Sequence, residues 1–348
     1  MNKKVLLLAA LLLFFVLSPL CFATNIEISA PSAILADFES GKILYEKNSN
    51  EKMYPASLTK MLTAIITLEK GKLYDVVEIS EEAVNSVPES YAGLTIEIGE
   101  KLTVEELLNV LLITSSNIAG NALGEYISGT TEEFAKVMNN KAKEIGCTNS
   151  NFVNPYGLHD DNHYSTAYDM YLIASYCMKN DTFRSIVSKK NYVIPATNKN
   201  EVRVVNNSNE LLYARPGRTS HLYKDTIGIK TGFTTPAKEC LAAGAKKDNF
   251  EIISVVLGCN TNDLKYVDTT KLFDFAYENY EYKKIFDAET SSTTVTIENA
   301  KDGEMSLKLY PEKDISALSK KSFEPVSEIN LNKNIKAPIK NGDILRNS

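Results

Sequence analysis

Runs of alternating or continuous apolar residues divide the chain into strands, a long helical stretch and strands again. Short runs of this kind between turn residues predict strands, and they occur at Ser32–Asp37, Lys42–Glu46, Tyr192–Ile194, Val202–Val205, Thr226–Thr231, Cys240–Ala245 and Phe250–Leu257. Apolar residues at helical spacing predict helices from Pro55 to about Glu69, through most of residues 70–180, and from about Leu264 to Tyr280. The pattern predicts a mixed α/β body with a helical insertion between its strands.

Two helix starts within the insertion carry a capping box, in which Thr is followed three residues later by Glu. Thr103 and Glu106 form one pair ahead of an apolar run, and Thr130 and Glu133 form the other. Such pairs satisfy the free amide groups at a helix N-terminus. We therefore expect helices to begin at both positions, and the first of them to end at Ser115.

The pattern changes character beyond about residue 283. Thr294–Ile297 and Met305–Leu309 predict a hairpin, and Val326–Leu331 predicts another strand. This indicates a small all-β domain over residues 283–348 that follows a larger domain over residues 24–282.

Residues 1–23 have the organisation of a secretory signal peptide. Two lysines precede an apolar run from Val5 to Leu17, and Cys21–Ala23 offers small residues at a cleavage site. An uncleaved membrane anchor is the alternative, but the apolar run is short for one, and the residues before Cys21 do not suit lipid attachment. We expect cleavage after Ala23 and a protein secreted across the cytoplasmic membrane, acting in the cell envelope.

Composition narrows the classes of function. The 348 residues are 44% hydrophobic and 24% charged, as in ordinary globular proteins. The net charge is −6, and loss of residues 1–23, which carry two lysines and no acid, makes it −8; a nucleic-acid partner is not expected. No CxxC motif and only three histidines occur, so neither a metal site nor a cofactor is expected. The cysteines are predicted to be buried free thiols, with a disulfide as the alternative: Cys147, Cys177, Cys240 and Cys259.

The first motif with chemical meaning is Ser57-Leu-Thr-Lys60 at the start of a predicted helix. Residues three apart share one helix face, and a serine hydroxyl becomes a useful nucleophile when a base lies beside it. Lysine can be that base when its neutral form is favoured. A Ser-x-x-Lys motif occurs by chance, and Ser49-Asn-Glu-Lys52 is a second match. That match lies in a polar turn without an apolar helix behind it, so Ser57 is the candidate.

Two further motifs follow in order along the chain. Ser115-Ser-Asn117 lies between two predicted helices, where a serine could relay a proton and an asparagine could bind a substrate amide. Capping of the second helix is its ordinary interpretation. Lys230-Thr-Gly232 lies on a predicted strand and offers a cation, a hydroxyl and close backbone approach. An edge turn with a solvated lysine is the alternative, but the three motifs together favour acyl transfer through a serine ester.

In these residues the chain resembles the D-alanyl-D-alanine carboxypeptidases, the low-molecular-weight penicillin-binding proteins. The segments that carry the resemblance are Ala33–Asp37, Gly41–Tyr45, Pro55–Lys60, Asn154–Leu158, His163–Ala167, Gly228–Phe233 and Ile335–Ile339. The resemblance implies an α+β fold of the beta-lactamase/transpeptidase type. That fold is an antiparallel sheet flanked by helices, with an inserted helical subdomain and a C-terminal β domain.

The same resemblance implies a role for each motif residue. Ser57 would be the acylated nucleophile, Lys60 its general base, and Ser115 and Asn117 cleft residues. Lys230 and Thr231 would hold the substrate carboxylate, and the amides of Ser57 and Phe233, beside Gly232, would form the oxyanion hole. The implied partners are a peptidoglycan stem peptide ending in D-Ala-D-Ala and the beta-lactams that acylate the same serine. Tyr156, His159 and His163 are expected to be structural.

The chain departs from the family pattern in two places. The tail looks truncated after Gly342–Ile344 and shows no amphipathic anchoring helix, so membrane attachment is left open. No arginine lies between Gly258 and Lys265, where some relatives carry one. Two other functions remain: a beta-lactamase, although residues 154–166 hold no glutamate to activate water, and a catalytically silent penicillin-binding wall protein.

Overall fold

The computed structural model describes residues 26–88, 94–217, 220–300 and 303–324. Its strands are β1 Ser32–Asp37, β2 Ile43–Lys47, β3 Val76–Glu78, β4 Lys101–Thr103, β5 Asn191–Ile194, β6 Arg203–Asn206, β7 Thr226–Thr234, β8 Lys238–Lys247, β9 Phe250–Cys259, β10 Tyr280–Phe286, β11 Thr293–Ala300, β12 Gly303–Leu309 and β13 Ile315–Lys320. A 3₁₀ turn spans Ala56–Thr59, and the helices are α1 Lys60–Lys70, α2 Glu81–Asn85, α3 Val104–Ile113, α4 Asn117–Ser128, α5 Thr131–Ile145, α6 Ala167–Met178, α7 Asp181–Val187 and α8 Asn262–Asn279.

A five-stranded antiparallel sheet forms the centre, in the order β2-β1-β9-β8-β7. Every residue of the middle strand β9 is buried, because helices cover both faces of the sheet. The long helix α8 packs on one face, and α6 and α7 lie on the other side with the helical insertion. The expected antiparallel sheet flanked by helices is thus confirmed. Strand β7 lies at the end of this order and carries Lys230.

Local signals in the helical insertion are confirmed. Thr103 and Glu106 form the reciprocal capping box of α3, and the Thr130 hydroxyl accepts from the Glu133 amide at the start of α5. Helix α4 ends at Ser128, and Gly129 follows it with a φ of 81°. The four cysteines of the described residues are buried and free: Cys147, Cys177, Cys240 and Cys259.

The C-terminal part contains two antiparallel strand pairs, β10 with β13 and β11 with β12. The boundary expected after residue 282 falls inside β10, so the division into domains stays a prediction. Tyr282 donates to Asp37 over 2.7 Å and so ties β10 to the first strand of the central sheet. The predicted strand Val326–Leu331 and the predicted leader lie outside the described residues. Across the described ranges, no helix combines the length and apolarity needed to cross a membrane.

Candidate active site

The turn that presents Ser57 departs from a regular helix start. Residues 56–59 form a 3₁₀ turn, and Lys60 begins α1 directly behind it. Ala56 has φ 47°, a left-handed conformation that side chains other than glycine adopt at a cost. Ser57 is half-buried at this turn. Its amide lies in the first turn, where helical N–H groups have no partner along the chain.

A loop over residues 154–158 packs against the turn that carries Ser57. The side-chain oxygen of Asn154 accepts from the amides of Tyr156, Gly157 and Leu158 at 3.3, 2.7 and 3.1 Å. Gly157 has φ +86°, and a Cβ built on it would lie only 1.9 Å from the carbonyl oxygen of Ala56. This position therefore requires glycine, and the loop and the serine turn pack as one unit.

Gly157→Ala is expected to destabilise the protein by about 3 kcal/mol or more, because strain at positive φ adds to a clash with backbone. Gly129→Ala is the matched control. It also has a positive φ, +81°, but nothing lies within 4 Å of its Cβ position, so a cost of about 1 kcal/mol is expected. The free energy of unfolding of both variants is measured by denaturant titration. An equal loss of that free energy in the two variants would contradict the role of the Gly157 contact.

Lys60 lies at the centre of the site and is fully buried. Its Nζ is 2.7 Å from each of three oxygens: Ser57 Oγ, Asn117 Oδ1 and the Tyr156 carbonyl. No carboxylate pairs with it among the residues described. Burial, with the positive charge of Lys230 as a second cause, lowers the pKa of Lys60 well below its usual value. This lowering favours the neutral amine more than in an exposed lysine.

The three contacts identify where the lone pair of a neutral Lys60 points. A neutral amine has two N–H groups and one lone pair. Asn117 Oδ1 and the Tyr156 carbonyl can only accept, so they take the two N–H groups. The Ser57 hydroxyl can donate, and it is left facing the lone pair. This is the arrangement in which a base removes a proton from a nucleophile.

Asn117 and Ser115 come from the corner between α3 and α4. Asn117 is the first residue of α4 and is buried against Lys60, while Ser116 caps the helix by accepting from Ala119. Ser115 is half-buried with φ 66°. The structure thus brings Asn117 to the candidate base. The Ser115 hydroxyl, two residues earlier in the turn, makes no hydrogen bond to another described residue.

Strand β7 forms the second wall of the site. A Cβ built on Gly232 would lie 3.2 Å from the Ser57 amide nitrogen and 3.1 Å from the Pro55 carbonyl oxygen, so glycine permits the strand to lie against the serine turn. Lys230 and Thr231 are buried just before it, and the Phe233 side chain is 53% exposed. The strand that carries Lys230 therefore meets the turn that carries Ser57, although Lys230 lies 173 positions after Ser57 in the sequence.

Lys230 is buried, and its ammonium loses a proton more easily than that of an exposed lysine. Its Nζ donates to the Thr231 carbonyl at 2.8 Å. Burial, and then the charge of Lys265, lowers the pKa of Lys230 to about 7. Lys265 is itself paired with Glu239 at 2.5 Å. An anion beside Lys230 would favour its charged form.

Sequence analysis missed two contributors. The Tyr156 carbonyl holds Lys60, but a backbone oxygen leaves no signature in a sequence. Ser208 contacts Thr231 and belongs to no motif. His163, which was expected to be structural, is buried, lies 2.8 Å from Thr59 Oγ1, and accepts from the Val153 amide. Across the described part of the chain, no three His, Cys, Asp or Glu side chains group as metal ligands.

Known proteins resemble this chain in sequence and in structure. The D-alanyl-D-alanine carboxypeptidase DacF of Bacillus subtilis is 37% identical over 325 residues, which are 91% of this chain and 80% of that protein. The crystal structure of the carboxypeptidase DacD from Francisella tularensis has a TM-score of 0.71 at 28% identity and covers 91% of this chain and 87% of its own. Penicillin binding protein 5 from Haemophilus influenzae has a TM-score of 0.72 at 29% identity, with 92% of each chain covered. The sequence model of the peptidase family described as D-alanyl-D-alanine carboxypeptidase matches residues 21–261, and the chain therefore belongs to that family.

Proposed function

We propose that the protein is a serine-type D-Ala-D-Ala carboxypeptidase that removes the terminal D-alanine from peptidoglycan stem peptides. The observation that carries this proposal is the buried Lys60, whose two amide-type acceptors leave its lone pair to the Ser57 hydroxyl. Family membership supplies the class of substrate. Beta-lactams would acylate the same serine.

In the first half-reaction Lys60 takes the proton of Ser57 while Oγ attacks the carbonyl carbon of the penultimate D-alanine. The amides of Ser57 and Phe233 would stabilise the oxyanion that forms, since fixed donors aimed at a developing negative charge lower the energy of the transition state. The C–N bond then breaks, and the leaving amine takes the proton, with Ser115 as its relay. Water hydrolyses the resulting ester, and Ser57 regains its proton.

The C-terminal carboxylate of the peptide is assigned to the pocket beside Lys230 and Thr231. Burial makes an unpaired ammonium costly there, so an anionic group that pairs with Lys230 gains more than it would at the surface. This supports an exopeptidase, because only a chain end presents that carboxylate. Thr231 would add a hydroxyl donor, and Asn117 would bind the peptide amide.

A beta-lactamase is the nearest alternative. Such an enzyme of the related class uses a glutamate to activate the deacylating water. The loop over residues 154–166 offers only Asp160 and Asp161. Asp160 accepts from the Asn162 amide, and the Asp161 side chain is 89% exposed. The loop therefore offers exposed aspartates and no glutamate for this role, which supports a slow release of beta-lactams. Rapid turnover of penicillin by the purified protein would reverse this choice.

The deciding assay measures free D-alanine after incubation with a pentapeptide that ends in D-Ala-D-Ala. A carboxypeptidase releases one D-alanine per peptide and is labelled by a fluorescent penicillin. A catalytically silent binder would be labelled without releasing D-alanine. Absence of both signals from a folded protein would refute the proposal.

The low pKa of Lys230 predicts an alkaline limb in the pH profile. Below about pH 7 Lys230 is charged in the free enzyme, and above it the cation is progressively lost. For the anionic pentapeptide, kcat/KM is therefore expected to fall by up to about tenfold per pH unit above that point. Lys230→Arg should remove this limb, because arginine stays charged. An identical fall in kcat/KM for Lys230→Arg would assign the limb to another group.

We also propose that residues 24–282 form the catalytic domain and residues 283–348 a β domain that is not needed for the chemistry. Cleavage of the leader after Ala23 would place the enzyme outside the cytoplasmic membrane, where peptidoglycan is assembled. Mass spectrometry of the protein isolated from the cell envelope would locate the mature N-terminus.

A further inference from the structure

We propose that Ser208 is a positioning residue that orients the Thr231 hydroxyl toward the C-terminal carboxylate of the substrate. The inference rests on the proposed function, which assigns that carboxylate to Lys230 and Thr231. Ser208 lies between β6 and β7, outside the three motifs. It would not touch the reacting atoms.

The first observation is the contact between the two hydroxyl groups. Ser208 Oγ lies 2.8 Å from Thr231 Oγ1, and either oxygen could be the donor. A hydroxyl has one proton to give and can also accept. A bound carboxylate takes the proton of Thr231, because an ionised carboxylate only accepts. Ser208 must then donate to Thr231, and such a chain of hydroxyls polarises the outer donor.

The second observation is that the main chain of Ser208 is fixed on both sides. Its amide donates to the Ile113 carbonyl at 2.9 Å, and its carbonyl accepts from the Tyr266 hydroxyl at 3.2 Å. Ile113 ends α3, two residues before Ser115, and Tyr266 is a buried residue of α8. Ser208 therefore reaches Thr231 from a position that the insertion and α8 define together.

The third observation concerns the flanking asparagines, which are both buried. Asn207 donates to the Lys189 carbonyl at 2.8 Å and accepts from the Asn209 amide at 2.9 Å. Asn209 accepts from the Leu211 amide at 3.0 Å. These bonds hold the turn without the Ser208 hydroxyl. Loss of that hydroxyl should leave the fold intact, and the remaining task for it is the contact with Thr231.

The test compares two pentapeptides, one ending in a free carboxylate and one in a carboxamide. Ser208→Ala should raise KM for the carboxylate peptide. It should also lower the carboxylate-over-carboxamide preference in kcat/KM about five- to tenfold, which is the effect of one hydrogen bond between neutral groups. The rate with the carboxamide and the melting temperature should stay close to those of the wild type. Ser208→Thr keeps the hydroxyl and should restore the preference.

A second arm uses Thr231→Ala. Adding Ser208→Ala to it should change the preference no further, because the residue through which Ser208 acts is gone. An unchanged preference in Ser208→Ala, or an equal loss with both peptides, would overturn the inference. Failure of the wild-type enzyme to release D-alanine would instead overturn the proposed function, so the two failures are told apart.

Discussion

Replacement of Ser57 by alanine is expected to abolish both labelling by a fluorescent penicillin and release of D-alanine. The variant loses the only atom that can form the ester, so the rate should fall by at least about 10⁴-fold. The fold should survive, because the substitution removes one hydrogen bond, to Lys60, at a cost of about 1 kcal/mol. Gel fluorescence, D-alanine release and thermal melting measure the three outcomes.

Ser49→Ala is the matched control, since Ser49 and Lys52 repeat the same motif spacing. The Ser49 hydroxyl donates to Glu46 at 2.7 Å and accepts from the Asn50 side chain at 3.5 Å, so this change removes at least as many hydrogen bonds as Ser57→Ala. It should leave labelling intact. Persistent labelling of Ser57→Ala, at a residue that mass spectrometry finds elsewhere, would remove Ser57 from the mechanism.

Replacement of Lys60 is expected to reduce acylation about 10³-fold or more, even when positive charge is retained. Lys60→Arg keeps a cation in the pocket but cannot supply a neutral amine, because the guanidinium does not lose its proton. Lys60→Met removes both charge and base. General-base catalysis contributes about 10²- to 10⁴-fold, and both variants should lose it. Stopped-flow measurement of penicillin acylation gives the rates.

The comparison between the two Lys60 variants separates base catalysis from simple charge. If the ammonium acted by attracting an anionic substrate, Lys60→Arg would keep most of the rate and Lys60→Met would not. The wild-type acylation rate should also fall as pH drops through the lowered pKa of Lys60, because protonation removes its lone pair. Thermal melting of both variants checks that buried changes have not unfolded the site.

Signals that act locally were predictable from the sequence. The Thr103 capping box depends on residues three apart, and the β1–β2 hairpin on a short turn, so both appear where expected. The meeting of Ser57, Lys60 and Asn117 was predicted through motif order and family resemblance rather than through spacing. The pattern underestimated β8, which extends from Lys238 to Lys247, because charged residues can continue a ladder at the ends of a strand.

The remaining features could not be predicted, for physical reasons. The helix expected from Pro55 begins as a 3₁₀ turn, with Ala56 in a left-handed conformation. The Ala56 carbonyl lies against Gly157, which is about 100 positions away, and a contact between such distant residues follows no local rule. The Tyr156 carbonyl and the Ser208 hydroxyl are common groups, and only the folded structure shows that they contact Lys60 and Thr231.

Lys60 and Lys230 are both buried, and the effect of one charge on the other would connect substrate binding at Lys230 to the base strength of Lys60. The charge of Lys230 is one cause of the lowered pKa of Lys60. A ligand whose negative end neutralises Lys230 relieves that repulsion, so the amine becomes a stronger base at the moment when the pocket fills. Lys60 would then be a weaker base in the vacant enzyme than in the complex with a peptide that has an anionic terminus. Selectivity for chain ends would then arise in the chemical step as well as in binding.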